Sequence, residues 1–166
     1  MPVNILIDEG SDSTLFFTAL VRRLQLAGQN QTLIVEGVGE ESSTHRNSEY
    51  LEMKLKTALG EIVTIHGSTM PSNAMPVGIV DWEKLRERWA HLTDLPPIRV
   101  CGGRMDILIG LDHAGLITPI EFRFGRNDEP TASKTRLCPS VMQHQYFGNI
   151  EFRRTFRTVV GRPRQN

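Results

Sequence analysis

The chain has 166 residues, enough for one domain with a sizeable apolar core and too few for two independent ones. Apolar residues make up 39% and charged residues 23%, with nine prolines and fourteen glycines spread along the chain, which excludes wholesale disorder. The formal net charge is zero, so no broad field draws the chain to nucleic acid or to an anionic membrane, and nucleic acid is not an expected partner.

Residues 3–7 form a short apolar, β-branched run closed by Asp8-Glu9-Gly10-Ser11, which predicts a strand and then a tight loop. Over residues 14–26, Leu15, Ala19, Leu20, Leu24 and Leu26 fall near helical spacing, with Ser11 or Ser13 available as the N-cap. A short helix ending near Gly28 is expected there. Residues 32–38 alternate as a strand, and Gly37-Val38-Gly39 with the polar stretch after it reads as a hairpin tip. Tyr50, Glu52, Lys54 and Lys56 alternate with Leu51, Met53 and Leu55, the period of a half-buried strand whose expected partner is 61–66.

Residues 67–79, with Pro71 and Pro76, read as a loop. Asp81 can cap a helix that sets Trp82, Leu85, Trp89 and Leu92 on one face, and Leu95-Pro96-Pro97 stops it because proline cannot continue a helix. Strands are expected at 98–100 and 106–109, a helical turn at 111–116, and a final strand at 117–124. The end of the chain is basic, with Arg153, Arg154, Arg157, Arg162 and Arg164 against Glu151, a pattern that is by default a solvated tail.

Cys101 and Cys138 are too few and too far apart for a disulfide framework, and His45, His66, His91, His113 and His144 show no ligand spacing. Neither a metal nor an organic cofactor is expected. The opening residues carry no basic n-region and the first apolar run ends at once in Asp8 and Glu9, so no signal peptide is read. With no apolar stretch of membrane-spanning length either, the expected setting is intracellular and cytoplasmic, with no membrane partner.

Peptide hydrolysis by carboxylates alone needs two of them sharing one proton, one to activate water and one to donate to the carbonyl. A chain that supplies a single suitable aspartate meets this need by dimerising, because a two-fold axis copies the residue across the interface. Asn4-Ile5-Leu6-Ile7-Asp8-Glu9-Gly10-Ser11 is an apolar strand running into an Asp-x-Gly loop. Met105-Asp106-Ile107-Leu108-Ile109-Gly110-Leu111-Asp112 is a second buried strand closing on a glycine. By themselves Asp12, Asp106 and Asp112 read as cap or turn residues.

This linked set resembles the retropepsin family. Within it, Leu-Ile-Asp-Glu-Gly-Ser, Val-Glu-Gly-Val-Gly, the Trp-bearing helix before Leu95-Pro96, Asp-Ile-Leu-Ile-Gly, and Pro130-Thr131-Ala132 with Thr135 are most similar to the aspartic peptidase domain of BEL/Pao-type retrotransposon polyproteins. A more distant likeness is to the retropepsin domain of DNA-damage-inducible proteins. The resemblance implies a mainly β fold, a closed retropepsin-like barrel with a flap hairpin and one to three short helices, over residues 1–137. Residues 138–166 are then a divergent basic tail, expected to be poorly ordered.

The resemblance implies Asp8 as the catalytic aspartate, Gly10 as the loop glycine, Gly37, Val38 and Gly39 as the flap tip, and Leu108, Ile109 and Gly110 as the supporting strand. Ser11 either orients Asp8 or caps the following helix. The implied activity is endoproteolysis of extended peptides such as polyprotein junctions by a homodimer. The sequence departs from the family where Glu9 replaces the usual Ser or Thr, in the few residues preceding Asp8, and at Cys138-Pro139 after Arg136-Leu137. The first departure removes a cross-linking hydroxyl, the second implies that the family's N-terminal strand is missing, and the third implies a fragment or a decayed copy. The alternatives are a catalytically inactive dimerisation or peptide-binding descendant and, through the basic tail, a nucleic-acid-associated fragment.

Overall fold

The computed structural model describes residues 1–37, 42–57, 59–71, 82–96, 104–137, 141–143 and 156–159. Two strands of identical sequence, Ile-Leu-Ile, lie side by side at one end of the main sheet. β1 (Ile5–Ile7) and β6 (Ile107–Ile109) pair in parallel, with Ile5 opposite Ile107 and Ile7 opposite Ile109. β2 (Leu15–Phe17) runs antiparallel to β6 on its other side and parallel to β5 (Ile62–Met70). β3 (Gln29–Gly37), β4 (Ser42–Lys56) and β5 form an antiparallel meander, and β10 (Phe156–Val159) pairs with β3.

The resulting seven-stranded sheet has the order β1-β6-β2-β5-β4-β3-β10. Strands take 44% against 19% helix, so the chain is mainly β, and the large sheet curls into a half-barrel. β1 and β10 end the sheet and are not paired with each other among the described residues. A second sheet of three strands joins β7 (Glu121–Arg123), β8 (Thr131–Lys134) and β9 (Val141–Gln143) in that order. β9 and β10 both lie beyond residue 137, where the sequence suggested a domain end; the other residues of 138–166 are outside the described set.

The half-barrel is filled from alternate positions, as the two-residue period of a strand requires. Leu51, Met53 and Leu55 of β4 join Ile65 of β5, Phe16 of β2, and Ile107 and Ile109 of β6 in one cluster. Leu15, Leu33, Val35 and Leu108 make a second cluster. β2 and β6 are therefore covered on both faces, Leu15 and Leu108 serving one cluster and Phe16, Ile107 and Ile109 the other.

That double burial overturns the helix expected from residue 14. Leu15, Phe16 and Phe17 are all buried, which a central strand achieves for consecutive residues and a half-buried helix does not. The helix is confined to α1 (Thr18–Arg23), and Phe17 stands at its N-cap without a side-chain bond, so neither Ser11 nor Ser13 caps it. Its end also comes before Gly28: Gln25 takes φ 54°, and the Leu26 N–H bonds the Val21 carbonyl at 3.1 Å, closing a Schellman-type turn.

Residues 67–70, expected as loop, continue β5, because β2 needs a partner there: Leu15 faces Ser68 and Phe17 faces Met70. The expected helix at the tryptophans is α2 (Trp82–Arg88), followed by a 3-10 turn at Ala90–Leu92 that buries Leu92. Asp81, its expected cap, and the strand expected at 98–100 lie outside the described residues. The turn after β6 is a 3-10 segment, Leu111–His113, leading into α3 (Ala114–Ile117). The strand expected at 117–124 shrinks to β7, since Ile117 is buried as the last residue of α3 and Pro119 has no N–H for a ladder.

Phe16 is fully buried in the larger cluster, whereas Ile62 at the start of β5 is 72% exposed. Phe16→Ala is expected to lower the unfolding free energy by about 3–5 kcal/mol, and Ile62→Ala to change it by less than about 0.5 kcal/mol. Urea titrations of both variants check this; comparable losses would contradict the packing.

Candidate active site

Asp8 follows β1 directly, and its N–H bonds the Ile109 carbonyl at 3.0 Å, extending the parallel β1–β6 ladder by one residue. The chain then turns back on the carboxylate. Gly10 N–H donates to Asp8 Oδ1 at 2.9 Å and Ser11 N–H donates to the Asp8 carbonyl at 3.2 Å. One carboxylate oxygen is thereby held by the loop's own backbone, while Oδ2 takes no hydrogen bond among the described residues. Asp8 is half-buried and Glu9, at the loop's tip, is exposed.

Ser11 is fully buried, and its hydroxyl donates to the Ser13 carbonyl at 2.8 Å. A hydroxyl has one proton, so Ser11 braces the loop with it rather than giving it to Asp8. The Ser11 carbonyl in turn accepts the Leu111 N–H at 2.8 Å. Gly110 lies against this loop so closely that a Cβ there would stand 2.7 Å from the Ser13 carbonyl oxygen and 2.8 Å from that of Ser11. Only glycine lets the β6 exit and the Asp8 loop approach to this distance.

The two loops are joined by a side-chain cluster of Thr14, Asp112 and His113. Asp112 accepts the Thr14 N–H at Oδ2 (2.8 Å) and the Thr14 hydroxyl at Oδ1 (2.7 Å). Thr14 Oγ1 also accepts the Gly110 N–H at 3.2 Å and lies 3.0 Å from His113 Nδ1. Its only proton goes to Asp112, and Nδ1, which also lies 3.1 Å from Asp112 Oδ1, carries the hydrogen it shares with these two oxygens. His113 Nε2 is then a lone pair, and it receives the His66 N–H of β5 at 3.1 Å. Through Nε2 the imidazole supplies β5 with an acceptor just beyond the Ser68 N–H bond to the Thr14 carbonyl.

The structure thus brings Asp8, Gly10, Ser11, Ile109 and Gly110 together, with Leu108 packed behind them on the opposite face of β6. Gly37 ends β3 at the expected hairpin, and Val38 and Gly39 lie outside the described residues, as do Cys101, Cys138 and His144. Asp106 accepts the Asn4 N–H at 2.9 Å and pairs with Arg23 at 3.0 Å, a clamp between α1 and the strand entrances. Asp112 is a turn residue of the 3-10 segment but caps no helix; its carboxylate accepts from Thr14 on the other loop. The roles of Thr14 and His113 have no local motif behind them.

Two surface depressions lie away from Asp8, one beside β7 and β8 at Asp94 and Pro96, the other around Tyr50 and His66. Among the described residues no group of three or more His, Cys, Asp or Glu is arranged to hold a metal ion, and no helix is long and apolar enough to cross a membrane. No family model matches the chain, and no curated protein or solved structure matches it either.

Thr14→Val removes the shared hydroxyl and strands the buried Gly110 N–H, while His113 Nδ1 and Asp112 Oδ1, 3.1 Å apart, keep each other. A loss of about 2 kcal/mol or more is expected, against less than about 1 kcal/mol for Thr14→Ser, which keeps the hydroxyl. Chemical denaturation of the pair decides; equal losses would show that the methyl group, not the hydroxyl, matters.

Proposed function

We propose that the chain is an aspartic endopeptidase of the retropepsin type and of retroelement origin, acting as a homodimer on extended peptides such as polyprotein junctions. The observation that carries this reading is the Asp8 carboxylate itself. It stands at the end of an apolar parallel strand pair, with one oxygen bound by the Gly10 N–H and the other open. That is half of a carboxylate dyad, and the second half comes from the same residue of another copy.

In this reading the curled sheet is the retropepsin-like barrel and the β3–β4 hairpin, with Gly37, Val38 and Gly39, is the flap that covers the substrate. A water held between the two Asp8 side chains attacks the scissile carbonyl; one carboxylate takes its proton while the other, protonated, donates to the carbonyl oxygen. Closing the flap excludes bulk water and strengthens these interactions. Asp8, Gly10 and the supporting Leu108, Ile109 and Gly110 make up the catalytic floor, and the reaction needs no metal or organic cofactor.

Asp8→Asn is expected to reduce cleavage of a mixed peptide library by roughly a thousandfold or more while leaving the unfolding midpoint in place, because the amide cannot carry the shared proton. Specific activity should also fall as the protein is diluted below its dimer constant. Activity that survives in folded Asp8→Asn protein, or that is independent of concentration, would place the chemistry elsewhere.

A second reading, an inactive dimerisation or peptide-binding descendant, is favoured by Glu9. It is exposed at the loop tip and takes the place of a hydroxyl able to cross-link two loops at a two-fold axis. Two glutamates there repel, so Glu9→Thr is expected to tighten the dimer by on the order of 1 kcal/mol, about fivefold in Kd. Sedimentation equilibrium and the peptide screen, run together, separate the readings. Cleavage by the wild type supports the enzyme, while peptide binding without cleavage, with or without Glu9→Thr, supports the descendant.

A further inference from the structure

β7 ends the three-stranded sheet and pairs only with β8 among the described residues. Around it Ile120, Phe122 and Phe124 are 59%, 43% and 69% exposed, and the two phenylalanine rings stack with centroids 5.3 Å apart. Stacked, bare aromatic rings on an end strand are a costly surface, and such strands are normally blunted or covered. Between the apolar residues stand Glu121 and Arg123, turned to the other face, where they lie 3.4 Å from each other, with Lys134 3.8 Å from Glu121 and Asp94 3.4 Å from Arg123.

The segment Ile-Glu-Phe-Arg-Phe is complementary to itself read backwards. We propose that β7 is a self-pairing strand that joins two copies of this chain edge to edge in antiparallel fashion, centred on Phe122. In that register Phe122 meets Phe122 of the second copy, Ile120 meets Phe124, and Glu121 meets Arg123 twice over. Directly opposed aromatic and opposite-charge pairs are the units that stabilise a sheet.

Other registers are disfavoured by the same residues. A slip of one residue sets Phe122 against a charged side chain and turns the apolar set to the wrong face. Pairing centred on Glu121 or on Arg123 sets like charges directly opposite each other. The charge order therefore selects one register of one partner, a second copy. The pairing rests on the peptidase reading only in that both require two copies; it needs no catalytic Asp8.

The test is sedimentation equilibrium of the full chain, wild type and variants, with thermal unfolding as a check on folding. Wild type should dimerise. Arg123→Glu, which turns both cross-pairs into repulsions, should raise Kd roughly tenfold or more, and the double swap of Glu121→Arg with Arg123→Glu should recover part of that loss, short of wild type because the swapped charges face Lys134 and Asp94 of their own copy. Phe122→Ser should weaken the dimer as well, and it keeps the proposal falsifiable if a charge variant fails to fold. Asp8→Asn should dimerise as wild type does, so a failed peptidase leaves this outcome untouched. A wild type that stays monomeric, a dimer indifferent to Arg123→Glu and Phe122→Ser, or a double swap no tighter than the single change would overturn it.

Discussion

The position of both candidate loops depends on one hydroxyl group. Thr14 Oγ1 gives its proton to Asp112 and takes the Gly110 N–H and the His113 Nδ1–H, which uses its donor and both lone pairs. Because that count closes, the tautomer of His113 follows, and with it the acceptor that His113 offers to β5. Thr14 is fully buried, so every one of these bonds would be expensive to leave unmade. The Gly110 backbone held in this way lies against Ser11 and Ser13, so the cluster also sets how close the β6 exit comes to the Asp8 loop.

Around that cluster the sheet is assembled from strands of two kinds, and they were unequally legible in the sequence. β4 is covered on one face, and its alternation of Leu51, Met53 and Leu55 with charged neighbours announces it. β6, bounded by Asp106 and Gly110, is short, apolar and buried throughout, and its punctuation marked it. β2 is equally buried on both faces but runs straight into α1. Its leucine and the helix's leucines merge into one apparent helical period, which hides the strand. What decides in favour of β is tertiary: β6 and β5 both need a partner at residues 15–17, a requirement that no window of local sequence contains.

The candidate site divides in the same way. Asp8, Gly10 and the strand before them are contiguous, and the bonds that turn the loop back on the carboxylate run within three residues, so the loop could be read from the sequence. Thr14 and Asp112 meet from positions far apart in the chain, and their match is one of geometry between side chains, which spacing does not encode. Ser11 shows the opposite case: its place beside the aspartate suggested a bond to it, yet the buried hydroxyl turns to the carbonyl of Ser13. His113 has no ligand spacing, and it is an acceptor for a strand edge rather than a ligand.

The location of Asp8 within the sheet bears on what it can do. Among the described residues β1 is the outermost strand, half-buried, with a neighbour on one side only, and the Asp8 N–H continues the pairing toward that neighbour. A carboxylate placed on β2 or β5 would be enclosed by strands on both sides and closed to any second copy. One that must meet its own symmetry mate has to stand at a margin, on a loop rigid enough to hold its geometry without the mate. Here that rigidity is intramolecular, from the Gly10 N–H on Oδ1, the Ser11 brace and the Thr14 cluster behind them. On the proposed reading, then, the half-site is placed without the dimer, and only its chemistry would need one. Glu9 is exposed at the same margin, so on the proposed reading this residue, more than the carboxylate beside it, would set how closely two such loops can approach.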